Sequence, residues 1–507
     1  MMKFVKISVL TLALLVAFSC SDDDEGSSPP TTSEPPNFSH VTTIDVGGEA
    51  SAEIVAFDPG TNKLFIVNND DDAGLHEITV YDISNINSPV QETSIDVSGE
   101  GAPNSIAVYG DMLAVAVEAP VKQDPGVVLV FDTSSQGQTD SYDVGALPDM
   151  LTFSPDGNYI LVANEGEPNE DYNIDPEGSV SIIEVATGDI NTLTFEAFNG
   201  QEATLEDSGF RVFGPGADLA SDVEPEFIVI SDDSQTAWVS LQENNGIARI
   251  NLNTQSIEAI YPLGFKDYSI AGNEIDASDQ DDVKELKSWP VFGMYQPDAL
   301  AYVSINGTEY VISANEGDAR DYDGFSEEER IADLTLDPTV FPVSEDYQND
   351  TSLGRLEITT TLGDTDADGD YDALYSYGAR SFSIWSADGQ LVYDSGNEIA
   401  ARTLELNPGR FNDDDGRSDA KGAEPEAVEV LQIDDRYILF VGMERTDGIL
   451  VYDITTPTAP VFLQWLLQTG DEAPEGLVAV PDTESPSGKA LLIVANEDSG
   501  TVSIFEN

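Results

Sequence analysis

Between residues 363 and 375 the chain reads GDTDADGDYDALY. Asp364, Asp366, Asp368, Asp370 and Asp372 occupy alternate positions, and Gly369 stands where such a loop must turn sharply. The pattern matches positions 1, 3, 5, 6, 7 and 9 of an EF-hand-type loop, which wraps Ca2+ in carboxylate oxygens. Position 12 of that loop calls for a bidentate Glu, and Tyr375 stands there. The last ligand is therefore expected from a backbone carbonyl or a distant acid. A solvated acidic loop without an ion is the plainer alternative.

A second set of acids recurs along the chain. VANEGEP at 162–168, SANEGDARDY at 313–322 and VANEDSG at 494–500 each end an apolar run with Ala-Asn-Glu. A small residue or Pro followed by a polar residue recurs upstream, as in Pro103-Asn104, Pro148-Asp149, Pro225-Glu226, Pro297-Asp298, Pro425-Glu426 and Pro474-Glu475. Taken together, Glu165, Glu316, Glu426, Glu444 and Glu497, with Asp318, form a candidate rim site. One reading is that Asn and Glu only cap strand ends in tight turns. The other is a ring of carboxylates, which invites a cation because like charges at close range repel. Basic residues near these motifs include Arg320, Arg380, Arg417, Lys421 and Arg445. They suit either neutralisation of crowded acids or a clamp on phosphate or sulfate beside calcium.

Short β-branched and aromatic runs, broken by Gly, Asp, Asn and Pro, must position these groups. Aligned on the Asn-Glu motif, seven units of about 45 residues or more appear, each with up to four strands. The pattern predicts an all-β fold, a seven-bladed β-propeller over residues 38–507. The last unit stops at VSIFEN, and HVTTIDV at 40–46 is expected to supply its missing fourth strand and so remove exposed edges. In an antiparallel hairpin the start of the first strand lies beside the end of the second, so both acid motifs fall on one face. The long insertions 165–178, 189–224, 253–296, 317–377 and 386–424 are expected on that face too. Helical periodicity is scarce; SEEERIADLT at 326–335 is the best helix candidate.

Composition bounds the function. The 507 residues carry 96 acidic and 20 basic side chains, a formal charge of −76. Such a surface repels nucleic acid and anionic lipid and concentrates cations, and it also suits solubility in a salty extracellular setting. With His40, His76 and Cys20 as the only residues of their types, zinc chemistry and a Ser-His-Asp triad are nearly excluded. Catalysis would have to run on carboxylates, a hard metal ion, Arg, Lys, Tyr or hydroxyls.

Residues 1–19 have the form of a secretory signal, and Cys20 falls where a bacterial lipobox places its lipidated cysteine. The acidic SDDDEG after Cys20 is similar to a surface-export signal of Gram-negative lipoproteins, and residues 20–37 form an acidic, Pro/Ser/Thr-rich linker. The expected location is the outer membrane, facing outward, with the N-terminal lipid as the only membrane contact.

The stretches 289–301 (WPVFGMYQPDALA), 313–330, 363–385 and 421–430 (KGAEPEAVEV) resemble the choice-of-anchor I family, which includes relatives of mesenchyme-specific cell-surface glycoproteins. The resemblance implies a secreted or surface-tethered propeller whose anchor varies between members. It links animal members to calcium mineral deposition, and some bacterial members to alkaline-phosphatase or phytase-like activity. It supplies no catalytic set to map onto this chain. Two expectations follow. One is a surface propeller that binds calcium and an extracellular protein or polymer through its acidic face. The other is a calcium-dependent phosphoric ester hydrolase, with Glu316, Asp318 and Glu426 as ligands or base and Arg320 and Arg417 as clamps.

Overall fold

Tyr159–Asn164 is an almost continuous apolar run, and both it and Ser179–Glu184 are buried at nearly every position, so both faces of each strand are covered. In the computed structural model, which describes residues 34–70 and 73–507, they are the two inner strands of a four-stranded antiparallel sheet. Pro148–Phe153 pairs with the first of them and Ile190–Thr194 with the second. The outer strand is mostly exposed and polar, which blunts its free edge. The signal segment, Cys20 and all but the end of the 20–37 linker lie outside the described residues.

Among the described residues, seven sheets have this four-stranded form, and residues Pro36–Asn507 form one compact unit. The architecture is an all-β propeller, because consecutive sheets stack face to face through shared apolar clusters. Phe65 and Val115 share one between the first two sheets, Leu161 and Val239 share another, and Ile312 and Leu439 a third. The final sheet meets the first in the same way, with Ile493 and Ile504 packed with Leu64 and Ile66. Ser39–Asp45 lies antiparallel to Thr501–Glu506, His40 facing Phe505 and Ile44 facing Val502. It is the outer strand of the sheet that contains the C-terminal strands.

Two insertions expected as loops fold together instead. Phe265–Asp267, Phe292–Met294 and Tyr375–Ser376 form a small three-stranded sheet that joins the 253–296 and 317–377 segments. Tyr268, Ile275, Leu356, Ile358 and Leu374 give this module an apolar core of its own. The expected helix at 326–335 is absent. Glu328–Arg330 is a strand paired with Glu357–Thr359, followed by a short 3-10 turn at Ile331–Asp333. The Arg330 guanidinium reaches Glu357 and Asp419 at 2.7 Å each, and Ile331 is fully buried. These tertiary contacts outweigh a weak local helical preference. The longest helix among the described residues is Glu398–Leu406, inside the 386–424 insertion, and no described helix is long and apolar enough to cross a membrane.

Candidate functional site

The Ala-Asn-Glu motif divides its labour residue by residue. Ala163, Ala314 and Ala495 are fully buried, where a larger side chain would not fit. The following Asn ties its strand to the next one. The Asn164 side-chain amide donates to the hydroxyls of Ser179 (3.2 Å) and Ser181 (3.0 Å), and that of Asn315 to Ser381 (3.2 Å) and Ser383 (2.8 Å). Asn496 donates to the Thr501 hydroxyl at 3.2 Å. The Glu is left for other work.

The Pro-acid motif meets it from the partner strand. Pro148 pairs with Asn164, Pro425 with Met443 and Pro474 with Asn496. The residue before each of these prolines has a positive φ: 46° at Leu147, 50° at Glu424 and 56° at Ala473. Its carbonyl accepts the N–H of Glu165 (2.8 Å), Glu444 (2.9 Å) and Glu497 (2.8 Å) respectively. Directly after each Pro the register slips at a β-bulge, and Asn104, Asp149, Glu226, Glu426 and Glu475 sit at these bulges. A bulge re-aims a side chain, and strained backbone repeated at equivalent places marks a functional region.

These side chains converge. A cavity of about 280 Å3 is lined by Asp149, Glu165, Glu226, Glu243, Asp298 and Glu316, and also by Asp318, Glu426 and Glu475. Below it lies a throat of about 180 Å3 with a largely apolar wall that includes Ile54, Ile106, Leu151, Phe227 and Leu477. Burial drives the acids at the mouth toward their neutral forms, and neighbouring carboxylates add to the effect. Asp149 is pushed up to about 6 by burial and then by Glu167, and Glu243 to about 7, chiefly by burial. Glu165, Glu226, Asp298, Glu426 and Glu475 are held well above the usual carboxylate range for the same reasons. Glu444 lies outside the cavity lining and is pushed up to about 8 by burial and by Glu316. Glu497 also lies outside it, and its charge raises Glu475.

The candidate basic residues are already engaged. Arg320 is buried, 2.7 Å from Asp222 and 2.9 Å from Glu224, and lies over the Phe213 ring. Arg417 donates to Glu424 at 2.6 Å. Lys421 reaches Glu316 at 3.0 Å and Asp318 at 3.1 Å. Arg380 is buried away from the cavity lining and donates to the carbonyls of Asp276, Ser418 and Ala420. Glu224, Glu424 and Lys421 thus belong to the site's electrostatics, and the signal for the two acids is their shared place as the first residue of Glu-Pro-Glu at 224–226 and 424–426.

The aspartate loop lies apart from this cavity. Gly369 takes a φ of 97°, and the Asp364 carboxylate accepts the N–H groups of Asp368 and Gly369 at 3.2 and 3.1 Å. Carboxylate oxygens of Asp364, Asp366 and Asp372 come within 4.8 Å of one another. Asp370 and Asp372 make a second such group with Asp337, an acid from outside the loop. Residues 335–337 are held there by backbone bonds with Tyr371. Asp368 accepts the Asp370 N–H at 3.2 Å and joins neither group. Repulsion from Asp368 raises the Asp366 carboxyl, whereas bonds from Thr365 lower that of Asp372. All the donors are oxygens, a set that fits a hard divalent cation.

A β-propeller with an acidic mouth, and a separate acidic loop, is the class that fold and site define. The chain belongs to the choice-of-anchor I family, whose domain model matches residues 53–457. It is similar to Gigasin-3a of Magallana gigas, 34% identical over 187 residues, which are 31% of this chain and 66% of that protein. It is also similar to the Mesenchyme-specific cell surface glycoprotein of Strongylocentrotus purpuratus, 25% identical over 322 residues, 54% of this chain and 39% of the relative. The match thus leaves much of both relatives' length uncovered. Among solved structures, Kuenenia stuttgartiensis hydrazine synthase aligns over 90% of this chain and 96% of that one, with a TM-score of 0.48 and 12% identity. The Cps50 (Swd1) β-propeller domain of Myceliophteria thermophila aligns over 93% and 100%, with a TM-score of 0.46 and 8% identity. No functional meaning attaches to the two structural likenesses.

Proposed function

We propose that this chain is a calcium-binding surface protein: a closed seven-bladed propeller that engages an extracellular protein or polymer through its acidic face. Its family and the name of its Strongylocentrotus purpuratus relative both favour a surface or exported location. The lipobox-like Cys20 favours a lipid anchor on the outer membrane. One observation carries the calcium reading: loop aspartates spaced for calcium gather their oxygens within 4.8 Å, with Asp337 as the acid from outside the loop. A cation held among these carboxylates relieves their mutual repulsion. It also offers a bridge to anionic groups on a partner that the acidic face would otherwise repel.

The esterase reading has less support. Arg320 and Arg417, its expected clamps, are committed to Asp222, Glu224 and Glu424. Calcium-dependent turnover of a phosphomonoester or phytate by the full-length chain would reverse that preference.

A ligand bound only by the native state raises stability. Calcium should therefore raise the Tm of the full-length chain above its value in chelator, and the D366A/D368A variant should show a smaller rise. An unchanged Tm in calcium would refute calcium binding. For the anchor, Cys20→Ser should move the protein from the membrane fraction to the soluble fraction; continued membrane retention would remove the lipid from the account.

A further inference from the structure

Two groups of three glutamates stand near the mouth, and they are neutralised differently. Glu316, Glu424 and Glu444 bring carboxylate oxygens within 4.8 Å of one another. The chain supplies the cations itself: Lys421 lies 3.0 Å from Glu316 and 3.8 Å from Glu424, and Arg445 lies 2.5 Å from Glu444. Glu165, Glu226 and Glu243 form an equally tight group, again within 4.8 Å, and all three line the central cavity. Among the described residues, no Lys, Arg or His forms an ion pair with any of them. Arg320 is spent on Asp222 and Glu224, and Arg211 on Glu327.

The side chains of this second group are also short of partners. Glu226 is 7% exposed and Glu243 is 5% exposed, yet among the described residues one carboxylate oxygen of each has no hydrogen-bond partner. An unpaired buried carboxylate is costly and persists where something else satisfies it. We propose that Glu165, Glu226 and Glu243 hold a divalent cation of the calcium class at the channel mouth, in the role that Lys421 plays in the neighbouring group.

The donors are carboxylate oxygens, without thiolate or imidazole, which selects a hard ion over zinc or copper. Glu165 follows the strand Tyr159–Asn164, Glu226 sits at the bulge opening Pro225–Ile230, and Glu243 follows Thr236–Leu241. The ion therefore ties two adjacent sheets together. Its presence makes the mouth less negative, where a partner would meet it.

This inference deepens the calcium-binding reading but rests on different residues from the aspartate loop, so the two separate experimentally. The test titrates calcium into the full-length D366A/D368A chain by calorimetry, and compares it with the same chain carrying E226Q and E243Q. The proposal predicts that the loop variant still binds calcium saturably and gains Tm, and that the added glutamines abolish both. It also predicts that the glutamines raise the Tm measured in chelator, because they remove charge from a crowded buried site while preserving shape. A loop variant with no residual calcium response overturns the mouth site while leaving the loop reading intact. Calcium binding that survives E226Q/E243Q unchanged also overturns it.

Discussion

Glu429 stands in the wall of the apolar throat, which also carries Glu475. Burial pushes its carboxyl up to about 7 from an ordinary value of 4.5. A carboxyl raised in the folded state favours the native chain while it is protonated, and that advantage is lost as pH rises from the unfolded value through the folded one. The ionised group is then a liability at pH 8. Replacing Glu429 by Gln should raise the Tm at pH 8, and the gain should shrink toward pH 5. An equal shift at both pH values would show that ionisation is not the cause. Residue types were the most legible part of this site. The alternating aspartates, the Pro-acid pairs and the Asn-Glu pairs stood out because each recurs at fixed spacing. Asp337 did not stand out, because only the folded chain brings it to the acids it faces, and the Glu-Pro-Glu triplets at 224–226 and 424–426 carry no sign that their first Glu meets an arginine. Arg320 and Arg417 were legible as cations near acids, but a one-dimensional pattern does not distinguish an arginine held by carboxylates from one free to grip phosphate.

At the scale of elements, a bulge after proline and a strained residue before it turn a strand start into an acid-presenting unit. Sequence shows the proline and the acid, whereas the extra residue that creates the bulge emerges only from pairing. The Asn of the Ala-Asn-Glu motif is the structural half of the device. Asn315 accepts from the Ser313 hydroxyl at 2.7 Å and donates to Ser381 and Ser383. Asn315→Ala should cost about 1–3 kcal/mol, the range for leaving buried hydrogen-bonding groups unsatisfied. Chemical denaturation measures that loss, and the calcium-dependent gain in Tm should persist. A neutral substitution would assign the motif's recurrence to something other than strand tethering. The insertions were the least legible elements. Segments 253–296 and 317–377 lack long periodic runs, and their shared core joins residues as distant as Tyr268 and Leu374. The 326–335 segment shows the same limit, since pairing with Glu357–Thr359 outweighed its local helical pattern.

At the scale of the whole molecule, the N- and C-terminal strands share one sheet. Ile44 is 6% exposed and belongs to the apolar cluster between the last sheet and the first. An Ile44→Asp substitution should lower the Tm and promote association, because loosening Ser39–Asp45 frees the edge of Thr501–Glu506. Light scattering during thermal unfolding measures this; a monomeric chain of undiminished stability would argue that the terminal pairing is dispensable. The all-β class and the repeat were readable because strands buried on both faces leave nearly continuous apolar runs. The convergence of acids on one cavity followed from hairpin geometry, whereas the division into a Lys421-neutralised group and one that no cation pairs with among the described residues did not.

Calcium retention by the full-length chain at equilibrium tests the central claim most directly, measured by dialysis at an ionic strength that screens diffuse surface binding. The account predicts saturable retention that falls in D366A/D368A and falls again when E226Q and E243Q are added. Retention that rises without saturating, and is the same in every variant, would contradict it.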